Sequence, residues 1–266
     1  VPLVQNLTHK NVYTIRLGKA KVDFIFLSGA PVHGMVAEAA AQVVRFLWPF
    51  RKCRQHSFSA EFFFCDSPKQ LPKPKEVLNE NHVNTGYSVP CESLVVFRKQ
   101  EWFKVFIHEC FHYLGLDKRV AEDVRLDMFT IPITVSVREA YSETWARILQ
   151  SHFIGGIEKE RTHSLHNMVR VLRHMGLKYS DLWGDKAKSY AEETNVFAYI
   201  VLTAILLHDY ETFIHSFERF EGNLGVLLQM IRAQYRAPSF LKRVAKAELE
   251  KSETGPFRMS ANEIFF

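Results

Sequence analysis

The chain predicts an α+β protein: an N-terminal half with a small mixed sheet, then a mostly helical C-terminal half. Three observations point there. Before residue 100, short stretches alternate apolar and polar residues with the period of two expected of half-buried strands. Beyond residue 138, apolar residues recur at helical spacing. Between them lies a long apolar stretch, Trp102 to Gly115, that carries His108, Glu109 and His112.

Taken in order, Val12 to Leu17 and Lys21 to Leu27 alternate around Gly18-Lys19, which predicts a hairpin over 11–28. Residues 32–49 predict an amphipathic helix with Val36, Ala40, Val43, Val44, Phe46 and Leu47 as its apolar stripe. Ser57 to Cys65 reads as a strand, and Ser67 to Lys75 as a polar, proline-containing loop. His82 to Ser88 carries loop signals, and Ser93 to Arg98 reads as a short strand running into the apolar helix. Further helices are expected at 138–153, 159–175, 186–208, 210–220, 223–236 and 238–251. The division is therefore 1–137 and 138–266, with the active site expected in the cleft between the halves.

Composition sets the class. With 47% hydrophobic and 24% charged residues in 266, the chain can build a sizeable core, and its 22 Phe imply bulky aromatic packing. The net charge of +5 is modest. Basic clusters at Arg51-Lys52-Cys53-Arg54, at Lys69/Lys73/Lys75 and at Arg232/Arg236/Lys242/Arg243/Lys246 read as solvated faces, with an acidic, nucleic-acid or assembly partner as the alternative. No nucleic-acid-reading motif accompanies them. Cys53, Cys65, Cys91 and Cys110 show no CxxC spacing. They read as no disulfide framework and favour a reducing compartment, hence an intracellular, cytoplasmic protein. The chain begins at Val1 with no visible signal peptide, so an organellar, mitochondrial destination stays open. The apolar run Val196 to Leu207 is too short to span a bilayer.

The chemistry concentrates in His108-Glu109-Cys110-Phe111-His112, an HExxH motif. Residues four apart share one helix face, so both imidazoles can reach one metal ion with Glu109 beside them. Burying two His and a Glu in an apolar helix is costly unless a partner satisfies them, and a metal is such a partner. The alternative is a core helix whose histidines bond backbone carbonyls. Gly115, three residues on, lets the chain turn out of the helix.

This motif resembles the active-site helix of the zincin metallopeptidases. In that family an edge strand beside the cleft accepts the substrate backbone, and residues 93–98 are the candidate. A catalytic zinc needs a third protein ligand. The branch with HExxHxxGxxH or HExxHxxGxxD is followed through Gly115, but its ligand position is Lys118, with Asp117 one residue early. Arg138-Glu139-Ala140-Tyr141-Ser142-Glu143-Thr144-Trp145-Ala146 instead resembles the glutamate-bearing helix of gluzincins such as the aminopeptidases. The resemblance implies Glu139 as ligand and Glu143, one turn on, as alternate or as an outer hydrogen-bond partner. A surface helix with two solvated glutamates is the bland reading. The resemblance covers about residues 93–150, and the linker from His112 to Glu139 is longer than in the aminopeptidases.

What the resemblance implies is a zinc-dependent peptidase with one Zn²⁺ per chain on His108, His112 and Glu139. Glu109 is then the general base, and a peptide or protein the substrate. A non-peptidase metal hydrolase is one alternative. A structural or interaction component of a larger assembly that keeps the metal site is another. Asn195 and Tyr199, His82 and Tyr87 are candidate oxyanion donors, and Arg258 a candidate for binding a substrate carboxylate. Ordinary packing is the bland reading of each.

Overall fold

The computed structural model describes residues 7–120, 123–250 and 255–264. In chain order the elements are strands β1 (His9–Leu17) and β2 (Ala20–Ser28), helix α1 (Gly34–Leu47), strand β3 (Ser57–Phe64), a single helical turn α2 (Glu80–Val83), strands β4 (Gly86–Val89) and β5 (Ser93–Val96), and helix α3 (Trp102–Leu114). After the short strands β6 (Asp123–Val124) and β7 (Val135–Ser136) come helices α4 (Val137–Ile154), α5 (Ile157–His174), α6 (Thr203–His208), α7 (Tyr210–Ser216), α8 (Leu224–Gln234) and α9 (Pro238–Leu249). The protein is α+β, as its hydrophobic pattern predicts.

Contacts divide the chain into two compact units. The first comprises the chain up to Pro68, Asn84–Lys118 and the tail from Asn262; the second comprises Lys69–Val83 and Arg119–Ala261. The line drawn from the sequence at 137/138 marks where periodicity turns helical. The compact units divide earlier, at 118/119, and exchange two segments. Periodicity reports element type, whereas unit membership depends on which distant residues touch.

The first unit is built on a five-stranded mixed sheet of order β1-β2-β3-β5-β4. β1 pairs antiparallel with β2, β2 and β5 run parallel to β3, and β4 is antiparallel to β5. Alternation puts Val22, Phe24, Phe26, Phe58, Ala60, Phe62, Leu94 and Val96 on the buried face. There Phe106 of α3 meets Phe24, Phe58 and Phe62 at ring separations of 6.2, 6.5 and 5.2 Å. Trp102 packs on Phe62 and Phe64, and Tyr113 on Phe58. Many of the phenylalanines thus form the floor on which α3 lies.

Two expectations are corrected here. Residues 93–98 are not an edge strand: β5 lies between β3 and β4, and the edge is β4, in the segment read as a loop. Its glycine and polar residues hide a strand whose partner follows directly after a short turn. The cysteines are also not all free. Cys53 and Cys91 form a disulfide with Cα atoms 5.6 Å apart, while Cys65 and Cys110 are buried thiols. This pairing removes the argument for a reducing compartment that rested on cysteine spacing.

The second unit carries the helices. α4 is buried along nearly its whole length although it bears Glu139, Glu143, Arg147 and Gln150. Glu143 and Glu160 both bond Arg147, at 2.9 and 3.2 Å. Ser260 donates to Gln150 and Glu160, and the Ala261 N–H donates to Glu160. Tyr141 and Trp145 pack on Phe213, with Phe217 and Phe220 completing the cluster.

Residues 186–208 do not form the single helix that periodicity predicts. A 3₁₀ turn covers Asp185–Ser189, and regular structure resumes with a π-helical turn, Phe197–Leu202, leading into α6. Glu192 explains the break, because its carboxylate accepts from the Tyr190 hydroxyl and the Phe197 N–H, each at 2.7 Å. The expected helix 210–220 ends at Ser216, with Arg219 and Phe220 at positive φ. α9 covers the helix expected at 238–251, whose last residue lies outside the described residues. Among the described residues no single helix is long and apolar enough to cross a membrane.

Candidate metal centre

α3 is held at both ends. At its C-terminus Gly115 is left-handed, the Gly115 N–H bonds the His112 carbonyl, and the Leu116 N–H bonds the Phe111 carbonyl, a Schellman ending. The remaining carbonyls of Tyr113 and Leu114 accept from the N–H groups of Cys91 and Lys52. These donors lie beside the disulfide, which therefore clasps the end of the helix. At its N-terminal end, Glu263 accepts from the Glu101 N–H and the Ile264 carbonyl from the Trp102 indole.

Within this frame His108 and Glu109 are buried, at 5% and 6% exposure, and His112 nearly so. The Nε2 atoms of His108 and His112 face each other at 3.0 Å, with ring centroids 4.7 Å apart. Asp117, itself buried, bonds His112 Nδ1 at 2.5 Å. A carboxylate there favours the proton on Nδ1 and turns the Nε2 lone pair toward His108. Two buried imidazole nitrogens converging in this way suit a cation that accepts nitrogen ligands, and zinc has that preference. Cys110 does not compete: burial, and then the charge of Glu109, push its thiol well above the usual range.

Glu109 is engaged from the sheet. The Ser88 hydroxyl of β4 donates to Glu109 Oε2 at 2.7 Å. Gly86 makes this approach possible, since a Cβ there would lie 2.8 Å from the Val95 carbonyl oxygen, 2.9 Å from Val105 and 3.1 Å from Glu109 Cγ.

In the second unit Glu139 lies in the first turn of α4 with 9% exposure. Glu143 is buried against Arg147. Of the two carboxylates, Glu143 is thus committed to a guanidinium. The lesser candidates have structural surroundings. His82 Nδ1 accepts from the Asn79 N–H, and Tyr87 is 55% exposed on β4. Asn195 is half-buried, with its carbonyl accepting from the Tyr199 N–H. The Tyr199 carbonyl accepts from Arg147. Arg258 is half-buried, and its carbonyl accepts from His163 and Asn167.

The first unit therefore brings together His108, Glu109 and His112 with Ser88, which sequence reasoning did not place, and Asp117, which it weighed only as a ligand one residue early. Asp117 had a signal in its spacing, five residues after His112 and just past the helix-ending glycine. Ser88 had a weaker one, the alternation Gly86-Tyr87-Ser88-Val89 directly before a strand.

The sequence matches no protein-family model and no curated protein. Among solved structures, the chain is similar to a mutant of a two-domain M1 zinc metallopeptidase bound to L-tryptophan, at 14% identity and a TM-score of 0.37. The alignment covers 93% of this chain and 53% of that one, so the chain spans about half its length.

Proposed function

We propose that the chain is a zinc-dependent peptidase in which His108, His112 and Glu139 hold one zinc ion and Glu109 is the general base. The observation that carries the reading is the convergence of two buried Nε2 atoms on α3, one of them backed by Asp117, with Glu109 beside them. Zinc in such a set acts as a Lewis acid toward a carbonyl and lowers the pKa of water. Glu139 is preferred to Glu143 because Arg147 already neutralises Glu143.

In this reading Glu109 takes a proton from the attacking water on Oε1, while Oε2 stays on Ser88. The proton then passes to the leaving amine as the peptide bond breaks. In this reading the substrate backbone adds as a strand to the outer edge of β4.

The test is elemental analysis of natively purified protein together with digestion of a broad peptide library. About one zinc per chain and cleavage that disappears in Glu109→Gln support the reading. A protein without zinc defeats it. A zinc-bearing protein that cuts nothing favours an assembly component that keeps its metal.

A further inference from the structure

We propose that Ser88 is a positioning residue for Glu109, and that β4 thereby sets the orientation of the base. The inference rests on the peptidase reading above. It stands on three observations within the first unit. The Ser88 hydroxyl donates to Glu109 Oε2 at 2.7 Å. Gly86, two residues earlier on the same strand face, lets the backbone of β4 settle within contact of Glu109 Cγ. Tyr87 and Val89, on the other face, are exposed, so the strand turns its small residues to α3 and its large ones outward.

The physical consequence follows from the side chain. Glutamate has several rotatable bonds, and freezing them at the moment of reaction opposes proton transfer. A hydroxyl that holds one carboxylate oxygen leaves the other in a defined direction before substrate arrives. Serine suits the task because its hydroxyl donates one hydrogen bond to the carboxylate without bringing a charge to the site. The donor also sits on the strand at the edge of the sheet. A substrate segment that pairs with β4 would steady the same backbone that carries Ser88, so seating the substrate and aiming the base become one event.

The experiment compares wild type, Ser88→Ala, Ser88→Thr and Glu109→Gln in steady-state peptide cleavage. Zinc affinity by chelator competition and melting curves are measured alongside. Losses of outer hydrogen-bond partners are typically about 10–100-fold, so kcat in Ser88→Ala should fall by about 10-fold with KM unchanged. Thr keeps the hydroxyl and suits a strand, and should restore most of kcat. Zinc affinity and melting temperature should match wild type in both, since Ser88 touches the base and not a metal ligand. Wild-type kcat in Ser88→Ala overturns the proposal. So does a change confined to KM, equal loss in the Ala and Thr variants, or loss of activity in step with loss of zinc or fold. Wild-type protein that cuts no peptide defeats the peptidase reading, and this assignment with it. Active wild type with an indifferent Ser88→Ala defeats this assignment alone.

Discussion

α3 and α4 are both buried helices that carry ionisable groups, yet they satisfy them in opposite ways. α4 closes an ion-pair network with α5: Arg147 lies between Glu143 and Glu160, all three nearly or wholly inaccessible. α3 instead aims two imidazole nitrogens at one point and turns its aromatic residues, Phe106 and Tyr113, to the sheet. A closed ion-pair network serves the fold, because each charge is met by another on the same chain. Converging lone pairs serve a ligand, because an added cation completes them. Substitutions should therefore separate the two sets, with the Glu143–Arg147–Glu160 network failing in stability and the groups on α3 in chemistry.

The largest effect is expected at Glu109. Glu109→Gln should lower peptide cleavage by about 10²–10⁴-fold, the usual contribution of general-base catalysis, with zinc content and melting temperature retained. Cleavage kinetics beside a zinc assay check this, and wild-type turnover in the variant sinks the mechanism. In α4, Arg147→Met should behave in the reverse manner. It leaves two buried carboxylates facing each other without their cation, which typically costs about 3–5 kcal/mol. Calorimetry should show a drop of many degrees, and an unchanged melting temperature would break the contrast. The same logic divides the two glutamates: Glu139→Ala should release zinc from folded protein, whereas Glu143→Ala should lower stability with less effect on metal.

The disulfide comes next. Removing a bridge typically costs about 2–4 kcal/mol, so Cys53→Ser should melt earlier and should abolish the stability difference between reducing and oxidising buffer. Wild type indifferent to reductant would show that the clasp on α3 contributes little. Asp117→Asn should follow, with zinc affinity weaker by about 10–100-fold in chelator competition and the fold retained. Unchanged affinity would mean that His112 needs no carboxylate behind it.

The smallest effect is a pH dependence outside the candidate site. Burial pushes the Glu192 carboxyl up to about 7, against partial relief from Tyr190 and the N–H groups of Phe197 and Val196. A raised folded-state pKa means that the folded protein binds the proton more tightly than the unfolded chain. This contribution is therefore fully present in acid below the unfolded carboxyl range and is lost as pH rises through about 7. Glu192→Gln keeps an acceptor without the charge, and should flatten that decline and raise the melting temperature at about pH 8 by a few degrees. A steeper decline in the variant would contradict the burial argument.

How far the sequence reaches can be judged from particular residues. The hairpin around Gly18, the helix after it, β3 and α3 follow from local periodicity, and the end of α3 follows from Gly115. Strand and helix periodicities of about 2.0 and 3.6 are written into neighbouring residues, so they survive being read without the fold. The pair His108/His112 belongs to the same category, since residues four apart on a helix always share a face. Glu192 shows the limit: one carboxylate turning back onto a hydroxyl and a backbone N–H stops a helix that the apolar pattern continues.

What the sequence determined by itself is the α+β class, the HExxH helix and its end at Gly115. What tertiary structure decided is which strand forms the sheet edge, that Ser88 reaches Glu109, that Asp117 turns back to His112, and that Cys53 finds Cys91 at a separation of 38 residues. The physical reason is that these are contacts between side chains or strands brought together by chain reversal. Their energy depends on distance and desolvation in the folded molecule, and neither is encoded in the local spacing of residue types.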